Sequence, residues 1–221
     1  CDRGPAMKIL YINPNSTEAM TRSVLAVARA ANPRAEILGW TNADGPPAIQ
    51  GPQDGARAVP GLLEMLPRAR AEGVDAIVIA CFDDTGLTEV RAAAHCPVLG
   101  IGQSAYVAAE LLGHRFSVVT TLDVSVPVIE GNIAALGHAP ACASVRASGI
   151  PVLTVEEGSE ETRAHLARDI LAAHREDGAT AAVLGCAGMA SLRDDLASRT
   201  GLPLIDGVAA SAQLAEAVAR F

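Results

Sequence analysis

Two cysteines stand where chemistry could be done. Cys81 ends the apolar run Val74-Asp75-Ala76-Ile77-Val78-Ile79-Ala80, and Cys186 ends the similar run Thr180-Ala181-Ala182-Val183-Leu184-Gly185. Each run is short, apolar and β-rich at its centre, and follows a helical stretch closed by glycine, the pattern of a buried parallel strand. In an open α/β sheet the carboxyl ends of strands are where ligands bind. A thiol on each side of a bound molecule suits inversion of a carbon bearing an acidic hydrogen, which needs a base on one face and an acid on the other. With an ordinary pKa of about 8.5, cysteine can serve as either. The carbanion would place its charge on an adjacent carbonyl met by fixed donors. Asn13, Ser16, Thr120, Thr121 and the backbone amides after each cysteine are the available donors, and no cofactor is required. A single cysteine at a strand end is ordinarily core; two at equivalent positions point to function. Cys96 and Cys142 lack that equivalence and read as structural. A carboxylate from Asp83 or Asp84 beside Cys81 would oppose its ionisation, unless one of them points away or caps a helix.

The elements that must position these thiols follow a repeated order. A strand over 8–12 runs into Asn13-Pro14-Asn15-Ser16, with Ser16 or Thr17 capping a helix to residue 31. A strand over 36–40 leads to a Gly/Pro-rich stretch, 45–55, read as a lid or binding loop. A helix over 56–72 delivers the chain to the Cys81 strand, and a helix over 87–95, a strand over 97–101 and a helix over 104–112 follow. At Gly113 the pattern restarts, with strands over 116–121, 143–147, 180–185 and 203–205 and helices over 125–136, 159–176, 190–199 and from 208 onward. Cys81 to Cys186 spans 105 residues and Pro97 to Pro203 spans 106, an internal duplication argued from spacing. The expected architecture is α/β: two pseudo-symmetric Rossmann-like lobes with mostly parallel sheets, 7–112 and 113–221, and a site in the cleft between them. The last helix of each lobe can cross to the other. Residues 1–6 read as an extension.

The totals exclude several classes. A net charge of −8 over 221 residues, with no basic stretch, argues against nucleic acid or a membrane surface as partner. No apolar run is long enough to span a bilayer and no signal peptide precedes the first strand. Five cysteines without metal-ligand spacing or disulfide-scaffold density suit a reducing, cytoplasmic setting. His95, His114, His138, His165 and His174 are dispersed, so no metal is expected. The first strand lacks the glycine fingerprints that cradle phosphates.

Five strings resemble the aspartate/glutamate racemase superfamily and, within it, the hydantoin and allantoin racemases. They are Ile12-Asn13-Pro14-Asn15-Ser16-Thr17, Ile79 to Leu87 around Cys81, Gly113 to Thr121, Val183 to Met189 around Cys186, and Pro203 to Val208. The resemblance implies a cofactor-independent racemase of 5-monosubstituted hydantoins, a homo-oligomer built on dimers as a tetramer or hexamer, with Cys81 and Cys186 as the catalytic pair. It further implies that Asn13 and Ser16 lie under the ring and that Thr120 and Thr121 make matching contacts from the second lobe. Phe82, Asp83, Ala187 and Gly188 would line the cysteine turns, and Gly207 would close the floor.

Departures from relatives narrow the substrate. Amino-acid racemases resemble Cys-Asn-Thr and Cys-Thr-His at the two cysteines, where this chain has Cys81-Phe82-Asp83 and Cys186-Ala187-Gly188, so free aspartate or glutamate is disfavoured. Arylmalonate decarboxylases keep one cysteine; maleate isomerases keep both and stay as a lesser alternative. Allantoin racemase is the nearer alternative. Phe82, Ile49, Val124 and Met189 could wall an apolar sub-pocket for a hydantoin arm, whereas Gln50, Gln53 and Asp83 could serve a ureido group. From a different class, a two-lobed small-molecule binding module would share the cleft but would have no use for matched thiols.

Overall fold

The computed structural model describes residues 6–221; apart from Ala6, the expected extension lies outside the described residues. The first sheet holds β1 (Lys8–Asn13), β2 (Glu36–Thr41), β3 (Ala76–Ile79) and β4 (Val98–Gly100), all parallel, in the order β2-β1-β3-β4. The second repeats this with β5 (Phe116–Thr120), β6 (Cys142–Ala147), β7 (Ala181–Gly185) and β8 (Leu204–Ile205), in the order β6-β5-β7-β8. In register, Ile9 is flanked by Ile37 and Ala76, and Val118 by Val145 and Val183. The central strands β1, β3, β5 and β7 are buried almost throughout, as parallel strands covered on both faces must be. The cysteine-bearing strands β3 and β7 therefore occupy the same place in two like sheets.

Helices in chain order are α1 (Glu18–Ala31), α2 (Pro52–Glu64), α3 (Leu66–Ala71), α4 (Leu87–Ala93), α5 (Ile101–Leu111), α6 (Val126–Ala135), α7 (Val152–Glu157), α8 (Glu160–Asp177), α9 (Arg193–Thr200) and α10 (Gly207–Val218). The outer face of the first sheet is covered by α2, α3 and α4 around Leu62, Ile77 and Val90, and that of the second by α7, α8 and α9 around Val155, Leu166 and Leu184. The inner faces share one core that runs between the sheets, from Tyr11 and Val78 to Phe116 and Val183. The helices of that core are exchanged. α10 lies on β1, β3 and β4, where the Tyr11 hydroxyl meets the Val208 carbonyl and the Ser211 hydroxyl, while α5 lies against β7 and β8 and stacks Tyr106 on Phe116. Each sheet is thus completed by the helix that follows the last strand of the other.

Three local expectations are corrected. The helix expected over 56–72 is two, α2 and α3, meeting at Met65, and α2 starts at Pro52, four residues before the expected start. Gly51 takes φ +97, which a side chain would resist, and Pro52 is pre-set for a first turn. Thr17 stands at the head of α1 without capping it, because its hydroxyl donates to the Pro47 carbonyl instead. Helix α7 falls where no helix is expected; its Val152, Thr154 and Val155 are β-branched, but Pro151 precedes the turn and Gly158 closes it at φ 59. Elsewhere the strands and helices fall within a few residues of expectation.

Candidate active site

Cys81 follows β3 and Cys186 follows β7, and the two side chains line one pocket between the sheets. Cys81 is half-buried and Cys186 buried. The pocket walls are Asn15, Met20, Ile49, Phe82 and Asp83 from the first half of the chain and Thr121, Ser125, Val152 and Ala187 from the second. Its volume is small, about 30 Å³, room for a water or two and not for a five-membered ring. A substrate must part the walls to enter.

Each sulfur sits at a turn that aims donors at it. Toward Cys81 come the Thr85 hydroxyl, 3.4 Å from Sγ, and the Asp83 amide. Toward Cys186 come the backbone amides of Gly188 and Met189, at the start of a 3-10 turn over Ala187–Leu192. Burial nevertheless dominates. It pushes the Cys81 thiol well above its ordinary range, helped by the Asp83 carboxylate, and pushes Cys186 up to about 12, helped by Glu156 and Asp83. Burial also pushes Asp83 up to about 6 against a hydrogen bond from Ser125 at 3.2 Å. Burial in this pocket therefore favours two neutral thiols, with a carboxylate whose charge both can feel.

Asp84 has a different task. Its carboxylate accepts from the amides of Gly102 and Gln103 at 2.9 and 2.7 Å, capping α5, and its own backbone takes φ 49. Asp206 does the equivalent for α10 through the amides of Val208 and Ala209. Of the two acids after Cys81, one faces the thiols and the other holds the exchanged helix.

Six of the expected site residues line the pocket: Cys81, Cys186, Phe82, Asp83, Thr121 and Ala187. The others stand behind it. The Asn13 amide is consumed by its own turn, donating to Asn15 Oδ1, Thr21 Oγ1 and the Thr17 carbonyl, and Asn15 faces the pocket in its place. Ser16 donates its amide to the Pro46 carbonyl. Thr120 donates its hydroxyl to the Gly185 carbonyl at 2.8 Å and so ties β5 to the residue before Cys186. Gly188 contributes its amide, and a side chain there would press on Glu156. Gly207 is not in the pocket: an added Cβ would overlap the Ile101 carbonyl oxygen, so this glycine lets α5 and α10 meet head to head.

The 45–55 stretch, expected as a lid or binding loop, borders the pocket. Asn42 donates to the carbonyls of Pro14 and Ala58, Gln50 accepts from the Val152 amide across the cleft, and Ile49 is buried against the pocket. Val124 meets Gly51 at the edge and Met189 is wholly in the core, so neither walls the pocket. Residues that sequence reasoning missed come from across the cleft: Asn15, Met20, Ser125 and Val152, together with Thr85 beneath Cys81. Among the described residues no group of three His, Cys, Asp or Glu side chains could hold a metal ion, and no helix is long and apolar enough to cross a membrane.

Comparison with known proteins adds the following. Residues 9–215 match the family model described as Asp/Glu/Hydantoin racemase. A hydantoin racemase of Rhizobium meliloti is 46% identical over 213 residues, covering 96% of this chain and 88% of the relative. A solved allantoin racemase from Klebsiella pneumoniae superposes with a TM-score of 0.92 at 38% identity, covering 97% of this chain and 88% of that one. An allantoin racemase from Pseudomonas fluorescens gives 0.89 at 36% identity, covering 97% and 91%.

Proposed function

Because this chain belongs to the Asp/Glu/Hydantoin racemase family and is an isomerase of the racemase type, we propose that it racemises 5-monosubstituted hydantoins by proton transfer between Cys81 and Cys186, without a cofactor. The observation that carries this reading is that the two thiols, from corresponding strand ends of two like sheets, share one pocket. One sulfur, as thiolate, takes the hydrogen from C5; the C–H electron pair moves into the adjacent carbonyl as an enolate. The opposite thiol then donates its proton to the other face as the carbonyl re-forms, leaving the second sulfur as thiolate. For the return direction the roles are reversed, so neither proton nor charge is lost. The Thr85 hydroxyl and the turn amides hold whichever sulfur is charged. Asn15, Thr121 and Ser125 supply polar contacts to the ring, and Met20, Ile49, Phe82 and Val152 give it apolar walls.

Allantoin is the second reading. It is favoured by the Asn15, Asp83 and Ser125 side of the pocket and by the named activity of the two structural relatives. Polarimetry in D₂O, with proton NMR of the same samples, on single-enantiomer 5-benzylhydantoin and on allantoin separates them. Loss of rotation above the enzyme-free rate, with deuterium entering at the ring stereocentre, names the substrate; no loss with either removes the ureide assignment.

A further inference from the structure

Beside the small thiol pocket, between α2, α4 and α6, lies a larger cavity of about 320 Å³. The two spaces share one lining residue, Asp83, and Thr85, which lines the larger one, touches the Cys81 sulfur. The larger space therefore begins one side chain away from the reacting position. Resting on the hydantoin reading, we propose that this cavity is the subsite for the arm at C5, with the ring held between the thiols and the arm leaving past Asp83.

The chemistry of inversion requires such a space on one side only. When C5 becomes planar, its arm lies in the ring plane, across the line joining the two sulfurs, so both enantiomers send the arm in nearly the same direction. The thiol pocket has no volume for it. Asp83 is the movable partition: its side chain is held there by the 3.2 Å contact from Ser125, while its main-chain carbonyl stays fixed by Asn132 at 2.8 Å.

The walls of the cavity state which arms fit. Val59, Val128 and Leu136 are apolar, and the carboxylates of Asp83 and Glu89 are acidic. Arg91, the one cation in the lining among the described residues, spends its Nε and Nη2 on the Val98 carbonyl and the Gln103 side chain. Against that single cation stand the carboxylates of Asp83, Asp84 and Glu89 in the same lining. The cavity takes neutral apolar arms and neutral hydrogen-bonding arms and rejects carboxylates.

The test compares racemisation of 5-methylhydantoin and 5-benzylhydantoin by the wild type, Val128→Trp and, from the opposite wall, Val59→Trp. Filling the cavity should lower kcat/KM for the benzyl substrate by about tenfold or more and leave the methyl substrate within about twofold. The retained methyl activity reports that the variant is folded. In the wild type, 5-(2-carbamoylethyl)hydantoin should exceed 5-(2-carboxyethyl)hydantoin by about tenfold or more. Benzyl and methyl substrates falling together, or both holding, in the two variants would overturn the subsite, as would equal rates for amide and acid arms. A wild type that racemises no hydantoin would overturn the catalytic reading itself and the subsite with it.

Discussion

The Thr85 hydroxyl donates to the Cys81 sulfur at 3.4 Å from one turn further along the chain, whereas Cys186 is met, among the described residues, by backbone amides alone. The two thiols are therefore not supported alike. Thr85→Val keeps the shape and removes the donor, so the Cys81 thiol should ionise less readily. Alkylation of Cys81 by iodoacetamide, followed by mass spectrometry, should slow by about three- to tenfold, with Cys186 labelled at its former rate.

Asp83 acts on both sulfurs in the opposite sense. Above its own pKa of about 6 it is negative and disfavours either thiolate; below that pH its charge is gone. Asp83→Asn should therefore speed labelling of both cysteines at pH 8, by roughly threefold or more, and the difference from wild type should vanish below about pH 6. A labelling rate that rises equally at pH 5 and pH 8 would remove the electrostatic account.

Capping of α5 by Asp84 gives a stability prediction. Asp84→Ala deprives two amides of their acceptor and puts alanine at φ 49, costing about 1–3 kcal/mol in urea unfolding. Asp84→Asn should cost less, since asparagine tolerates that backbone. Burial pushes the Asp84 carboxyl up to about 7, so the fold favours its protonated form. Stability should accordingly fall for the wild type relative to Asp84→Asn as pH rises from the ordinary 3.8 through about 7.

At the junction of the exchanged helices, Gly207→Ala drives a Cβ into the Ile101 carbonyl oxygen, which is main chain and cannot swing aside. The expected loss is about 1–3 kcal/mol, read as a lower urea midpoint.

Much of this arrangement was legible in the sequence. The apolar runs before Cys81 and Cys186 place both thiols at strand ends, and the constant spacing predicts two like sheets, because period and order are local signals. Side-chain direction beyond a strand end is not local. Alternation stops at Asn13, and the Pro14 turn then gives Asn13 to the loop and Asn15 to the pocket. Likewise Thr120 is spent on Gly185 and its neighbour Thr121 faces inward. Met20, Ser125 and Val152 reach the pocket only because helices from both halves of the chain converge there, which no sequence window contains. Thr85 was in view within the Cys81 string but carried no signal separating a donor to sulfur from an ordinary turn residue.

The central claim is that Cys81 and Cys186 are the two bases, and single-enantiomer 5-benzylhydantoin in D₂O tests it most directly with wild type, Cys81→Ser and Cys186→Ser. Both variants should lose racemisation by at least about a hundredfold, and each should exchange the C5 hydrogen for deuterium in only one enantiomer, opposite for the two variants. Racemisation at the wild-type rate in either variant would contradict the account.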